Sequence, residues 1–231
     1  MILGSVGALR AASYIVAGSL VLASHSANAA LTLRLNDGVN PVQQVVDLDA
    51  DGIVNFTGSL GVWFLNVSTG ISKPALPGAQ TDLNSVNLSQ SAGTLIISLS
   101  DDNFSLGGST GFGLFEIGGT TQGTVAYESW IDVGNTLFAT TTLIGSDSAG
   151  PGAFADTLGS GLLLSNPFSM TTIVTITHGG GTGVVTSFNA NTRVSVPEPT
   201  TLTLLGGGLL ALGFFARRLR RRPQPSRKMV L

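Results

Sequence analysis

The 231-residue chain contains no cysteine. That removes disulfide scaffolds, thiol nucleophiles and Cys-ligated zinc sites together. Charge is scarce as well: Asp, Glu, Lys and Arg make up 10% of the residues, against about a quarter in an ordinary soluble domain. Hydrophobic residues stay at 43%, so the low charge does not describe a disordered chain. A net charge of −2 offers nucleic acid no electrostatic footprint. Aromatic side chains are few, with two Trp and two Tyr. Glycine is what the chain has in excess, at 31 residues, roughly twice the usual share of about 7%.

The small net charge hides a segregated one. Between Ala30 and Val196 three basic residues (Arg34, Lys73, Arg193) face twelve acidic ones, a balance of −9. From Arg217 to Lys228 there are seven basic residues and no acidic one, a balance of +7. Asymmetry of this size points to membrane topology and targeting. At the N-terminus, Arg10 precedes the uncharged run Ala11 to Ala23 and then Ala27-Asn28-Ala29. A positive n-region, a short apolar run and a small-x-small site form a secretory signal peptide. Cleavage is expected at Ala27, Ala29 and Ala30, before Ala30 or between Ala30 and Leu31. The chain is therefore expected to leave through the Sec translocon and meet signal peptidase.

The C-terminal segment reads Val196-Pro197-Glu198-Pro199, an uncharged Leu/Gly-rich run from Thr200 to Ala216, then Arg217, Arg218, Arg220, Arg221 and Arg222. A helix over Thr200 to Ala216 would span about 25 Å, near the hydrocarbon thickness of a bilayer. The arginines, read as a stop-transfer cluster, would keep the C-terminus in the cytoplasm. One transmembrane helix, anchoring the chain transiently in the inner membrane, is the expectation. Three consecutive glycines weaken such a helix by about 1 kcal/mol each, which suits a segment meant to be handled and removed. The arginine run beside an apolar segment and a signal peptide does not read as a nucleic-acid patch.

This tripartite tail resembles the PEP-CTERM sorting signal of bacterial exported proteins. Pro197, Glu198 and Pro199 are the positions that match the motif. The resemblance implies an exosortase as partner, an integral-membrane cysteine transpeptidase that cuts near the motif and passes the protein to the cell surface, extracellular matrix or exopolysaccharide. Such tails also carry the label "ice-binding protein C-terminal", which describes a sorting tag and not ice binding. The extension from Pro223 to Leu231 departs from the usual pattern, in which the arginines end the chain.

Between the two signals, apolar and polar residues alternate. Leu95, Ile97 and Leu99 point one way; Thr94, Ser98 and Ser100 point the other. Trp63, Leu65 and Val67 share a face, as do Val125, Tyr127 and Ile131. Short β-branched runs divided by Gly, Asn, Asp and Ser predict an all-β, β-sandwich-like exported domain. The expected organisation is a signal helix over 1–29, one β-rich domain over 30–195, the sorting signal over 196–222 and a cytoplasmic tail over 223–231. This domain also resembles an uncharacterised PEP-CTERM group through Val54-Asn55-Phe56-Thr57-Gly58, Gly70-Ile71-Ser72-Lys73-Pro74 and Gly134-Asn135-Thr136-Leu137-Phe138. The likeness implies a shared β-rich fold and no activity.

Several constellations could carry chemistry. Asp47, Asp49 and Asp51 with Gly52 match loop positions 1, 3, 5 and 6 of an EF-hand-like calcium site. Position 12 is Gly58 where a bidentate Glu belongs, so an acidic β-turn is the preferred reading and no metal or other cofactor is assigned. Gly107-Gly108-Ser109-Thr110-Gly111 matches the nucleophile elbow of hydrolases but lacks its strand-to-helix setting. Ser109 with His178 and Asp156 defines the hydrolase alternative; a solvent-exposed His178 at a strand end is the expectation preferred to it. Asp101-Asp102 and Glu116 with Glu128 are the carboxylates that a glycosidase would need; turn and strand-edge carboxylates are the preferred reading. Sequons stand at Asn55, Asn66, Asn87 and Asn103. The expected function is a non-enzymatic surface or matrix protein whose β domain has a structural or binding role linked to exopolysaccharide. The alternatives are an exported hydrolase and a weak calcium-binding adhesion module.

Overall fold

Alternating burial builds the sheets strand by strand. On Ala79–Ser89, Leu83 is fully buried while its neighbours Asp82 and Asn84 face outward, as a period of two requires. The computed structural model describes residues 31–196, 205–213 and 217. Among them are twelve strands: β1 (Thr32–Asn36), β2 (Gln43–Val46), β3 (Ile53–Leu60), β4 (Trp63–Ile71), β5 (Ala79–Ser89), β6 (Gly93–Phe104), β7 (Thr110–Thr121), β8 (Thr124–Asp132), β9 (Thr142–Ala149), β10 (Gly152–Leu163), β11 (Phe168–His178) and β12 (Val184–Ser195).

The strands form two six-stranded sheets, ordered β2-β1-β6-β11-β8-β9 and β10-β7-β12-β5-β4-β3. Every pairing is antiparallel. From β5 onward, consecutive strands change sheet except at the β8–β9 hairpin, and the pairs nest: β5 with β12, β6 with β11, β7 with β10, β8 with β9. That nesting is a jelly roll. The chain before it adds β3 and β4 beyond β5 in the second sheet, and β1 and β2 beyond β6 in the first. At the sides, β9 packs on β10 and β2 on β3, which shields edges that would otherwise recruit other strands.

The space between the sheets is filled by Leu33, Leu35, Trp63, Leu83, Leu95, Ile97, Leu99, Phe115, Val125, Ile131, Val174 and Ile176. Four sets of polar contacts cross it. Lys73, just past β4, reaches Asp101 on β6 at 2.8 Å and lies 4.0 Å over the Phe104 ring. Ser72 donates to the same carboxylate at 2.6 Å. Ser129 and Thr172 of the first sheet meet the Thr192 hydroxyl of the second at 2.8 and 2.9 Å. Tyr127 donates to Asp156 on β10, and His178 contacts β5 and β12 as described below.

The structure corrects the expectation for the C-terminal segment. The sandwich stands, but the C-terminal transmembrane helix does not. The described helical stretch covers 205–213, and among the described residues no helix is long and apolar enough to cross a membrane. Gly206, Gly207 and Gly208 lie within the helical stretch, and glycine is the poorest helix former after proline. The membrane assignment and the transient inner-membrane anchor fall with it. Ser100 points away from the core as expected and is nonetheless fully buried. The segment 133–141 folds over the outer face of the first sheet, where the Phe138 N–H donates to Ser100 Oγ at 3.0 Å. Arg34 stacks 3.6 Å over the Phe138 ring. The expected signal helix, 1–29, lies outside the described residues.

Asp101 is fully buried, whereas the Lys73 side chain keeps 24% exposure. Removing the lysine strands a carboxylate, while removing the aspartate frees an ammonium that can turn to water. Lys73→Ala is expected to cost about 3–5 kcal/mol and Asp101→Asn clearly less. The double variant should cost less than the sum. Urea unfolding of the three proteins measures all these differences.

Candidate functional site

The acidic loop between β2 and β3 is closed by its own first carboxylate. Asp47 is buried, and it accepts the N–H groups of Gly52 at 2.8 Å and Asp51 at 3.3 Å. Asp51 accepts from Ile53 N–H at 2.8 Å. Gly52 needs its glycine: φ is +81° and a Cβ would lie 2.8 Å from the Ser72 carbonyl oxygen. Asp47, Asp49 and Asp51 bring carboxylate oxygens within 4.8 Å of one another. The Asp49 carboxyl is pushed above its ordinary value, first by its hydrogen bond with Asp47 and also by the charge of Asp51. Position 12, Gly58, lies within β3, so the loop leads into a strand and supplies no late carboxylate.

The hydrolase residues are far apart. Ser109 is exposed, and its carbonyl accepts the Leu164 N–H near the start of β11. His178 ends β11, ten residues beyond Phe168, or about 33 Å along the strand. Asp156 lies on β10 as the acceptor of Tyr127. Burial and that hydrogen bond push the Tyr127 hydroxyl pKa well up, so it donates and does not ionise. The glycosidase carboxylates also separate. Glu116 points outward from the second sheet and Glu128 outward from the first. Asp101 is held by Lys73 and Ser72, with burial the larger influence raising its pKa.

His178 is not exposed, contrary to expectation; it keeps 1% of its surface. Its Nδ1 lies 2.7 Å from Ser89 Oγ and its Nε2 2.8 Å from Thr186 Oγ1, both on the opposite sheet. Trp63 packs against the ring with centroids 4.6 Å apart. Gly123 makes room, since a Cβ there would come 2.6 Å from His178 Cδ2. The sequence carried no local signal for this, because the partners lie on β5 and β12. Of the sequons, Asn55 is exposed on β3, Asn66 lies in β4, and Asn103 is held at φ +59° by Asn135. Asn87 is fully buried, so the folded domain cannot carry a glycan there.

Outward-facing residues of the second sheet line two depressions. One, about 450 Å³, has Gly118 and Ala155 in it and is flanked by Glu116, Thr157, Asn189 and Asn191. The other, about 560 Å³, is bordered by Phe64, Val86, Leu88 and Val185. Beside the first, on β5, Asp82 receives a long 3.4 Å contact from Asn191, and burial raises its pKa.

The C-terminal signal begins where the second sheet ends. Ser195 still pairs with Phe112, and Val196 packs on Gly108. The family model for the PEP-CTERM protein-sorting motif matches residues 195–222. The chain carries a PEP-CTERM sorting motif. It is thus marked for export to the cell surface and for processing by an exosortase-type membrane transpeptidase. Pro197, Glu198, Pro199, Arg218, Arg220, Arg221 and Arg222 lie outside the described residues, as do Ala27, Ala29 and Ala30; Arg217 is helical.

A search of curated proteins finds no match. Three solved structures are similar at low level. The enzymatically active domain of bacteriophage CBA120 tailspike protein 4 is 10% identical with a TM-score of 0.33, over 60% of this chain and 20% of that one. The K1 cleaved adhesin domain of Lys-gingipain from Porphyromonas gingivalis W83 is 8% identical with a TM-score of 0.29, over 62% and 99%. Arthrobacter globiformis T6 isomalto-dextranase complexed with panose is 10% identical with a TM-score of 0.23, over 71% and 30%. None of the three bears weight for fold or function.

Burial lowers the His178 pKa from its ordinary 6.5. Below that value the unfolded chain takes a proton that the folded chain refuses. Stability from this group is therefore full above pH 6.5 and falls as pH drops toward the folded value, by at most about 1.4 kcal/mol per unit. The buried carboxylates with raised pKa, Asp82 and Asp101, act with the opposite sign at lower pH. Subtracting the profile of His178→Asn isolates the histidine. The difference should be flat above pH 6.5 and slope below it; a flat difference throughout would contradict a neutral buried imidazole.

Proposed function

We propose that the PEP-CTERM protein works at the cell surface or in the extracellular matrix as a non-catalytic module whose β domain associates with exopolysaccharide. The observation that carries this is the junction at Ser195. β12 is a central strand, paired with β5 and β7, and the sorting motif follows it without a linker. A cut near the motif leaves every strand of the jelly roll in place, so the processed product is a complete sandwich. The wide separation of Ser109 from His178, and of Glu116 from Glu128, supports a module without catalysis. Surplus acidity over 30–196 and a single lysine there suit a solvated surface among neutral or hydrated polymers.

Glu198→Ala is expected to leave most of the protein unprocessed and ending at Leu231, with loss from the surface fraction. Intact-mass measurement of wild-type and variant protein from the producing cells reads the outcome. A wild-type product that still ends at Leu231 would remove the processing step. Absence of the processed wild-type protein from purified surface polysaccharide would remove the matrix association.

A further inference from the structure

The outer face of the second sheet contradicts ordinary strand composition. Asn and Asp are depleted in strands, because their side chains compete with the backbone and pack poorly on a pleated surface. Yet Asp82 and Asn84 occupy the middle of β5, and Asn189 and Asn191 the middle of β12, all facing outward. The register sets Asn189 opposite Asn84, and Asn191 opposite Asp82. On the other flank Asn191 stands beside Glu116, and Asn189 beside Gly118. The result is a patch of amides and carboxylates across three adjacent central strands. Sites where a local rule is broken without a packing gain are where function is to be sought.

Gly118 is the second observation. Its neighbour Gly119 is obligatory, since a Cβ there would lie 2.1 Å from the Ser187 carbonyl oxygen. Gly118 is under no such constraint. A Cβ would meet only Phe154 O at 3.6 Å and Ala155 Cβ at 3.8 Å, ordinary contact distances. The fold does not require glycine there, and its effect is to leave the depression of about 450 Å³ open beside Glu116, Asn189 and Asn191. Along the same face, toward β4, Phe64 is 47% exposed beside the apolar depression of about 560 Å³. From β7 to β4 is three strand spacings, about 14 Å, and the register sets Phe64 level with Val185, four residues or about 13 Å along the strands from Asn189.

We infer that this face binds a neutral polysaccharide chain laid across β7, β12, β5 and β4. Amides and carboxylates in the trough take the sugar hydroxyls, which both donate and accept. The Phe64 ring offers an apolar surface to the C–H side of a sugar further along, the mixture of apolar wall and few polar groups usual in small-molecule sites. Charge selects against anionic polymers. Glu116 and Asp82 are on the face, and its one cation among the described residues, Arg193, is 3.5 Å from Glu116. The site rests on the exopolysaccharide association proposed above and gives it a location and a ligand class.

The test is affinity electrophoresis of the full chain in gels containing protease-treated exopolysaccharide from the producing cells, with alginate as an anionic control. Wild type should be retarded by the former and not by the latter. Gly118→Val, which fills the trough, should weaken retention about tenfold or more. Asn189→Ala with Asn191→Ala should weaken it several-fold, and Phe64→Ala likewise. Unfolding midpoints of each variant, within a few degrees of wild type, establish that the fold is kept; Gly118→Ala serves if valine unfolds the chain. Undiminished retention in the trough variants would overturn the site and leave the exopolysaccharide association standing. No retention of wild type would overturn both, as would retention by alginate alone. Retention that disappears on protease treatment of the polysaccharide would mean that a protein is bound instead.

Discussion

Two sheets with no disulfide between them depend on what their inner faces bury and on the few polar bonds that cross the gap. The Lys73–Asp101 contact shows how tight that constraint is. A carboxylate without solvent access is tolerable only beside a counter-charge and enough hydrogen bonds, and the single lysine between Ala30 and Val196 is placed there. Ser72 and the Asp102 N–H satisfy the remaining oxygen positions. The pair ties the end of β4 to β6, so it fixes the extension β3–β4 against the first sheet. Ser129, Thr172 and Thr192 make a second tie deeper in the gap, and His178 with Ser89 and Thr186 a third at the far end. Each pairs residues from different sheets. Hydrogen bonds of this kind contribute modestly when made and cost more when one partner is removed, so they specify how the sheets face each other more than they hold them together. The apolar burial of Leu33, Leu95, Phe115 and Val174 supplies most of the drive.

What could be read from the sequence was whatever depends on neighbours along the chain. Leu95, Ile97 and Leu99 alternate because a strand has a period of two, and they are fully buried. Trp63 and Leu65, and Val125 with Ile131, behave the same way. Three features depended on residues distant in sequence. His178 is buried because Ser89 and Thr186 reach it from the other sheet and because Gly123 leaves space for its ring. Ser100 is covered because 133–141 folds back over it, with Phe138 at φ +62°. That conformation is costly for a bulky side chain, and Arg34 and Ser100 hold it. The trough at Gly118 needed the register of β7 against β12 before its emptiness had meaning. The C-terminal helix failed for a different reason. Counting uncharged residues gave a length, whereas a span needs one long apolar helix, and none is found among the described residues.

The position of β12 constrains how sorting and folding fit together. It is the last strand in sequence but lies inside the second sheet, between β7 and β5. The nested pairing of β5 with β12 spans nearly the whole jelly roll, so the second sheet cannot close until the residues just before the motif are available. Long-range pairings of this kind are slow to form because loop closure precedes their contacts. A motif attached directly to β12 thus reports on a domain that is complete up to Ser195. Cutting inside the strand would remove pairings with both neighbours; cutting beyond it removes none.

The two outer faces differ in what covers them. On the first sheet the segment 133–141 lies over Ser100, Arg34 stacks on Phe138, and Asp132 secures the turn. Burial opposes ionisation of Asp132, yet the N–H of Thr136 and the hydroxyl of Thr141 outweigh it and hold the carboxyl below its ordinary value. On the second sheet the outward side chains of β5 and β12 remain half-exposed or exposed. If solubility were their only role, Thr, Lys or Ser would serve with better strand propensity, and this sheet uses Thr120 and Ser187 in that way beside the trough. Asp82, Asn84, Asn189 and Asn191 are placed instead where propensity opposes them, next to a glycine that neither backbone nor packing demands. The stability given up at these positions is recovered inside the sandwich, where the same strands contribute Leu83, Phe188 and Ala190 to the core. A rigid, well-buried inner face allows the outer face of the same two strands to carry residues chosen for contact with something outside the chain.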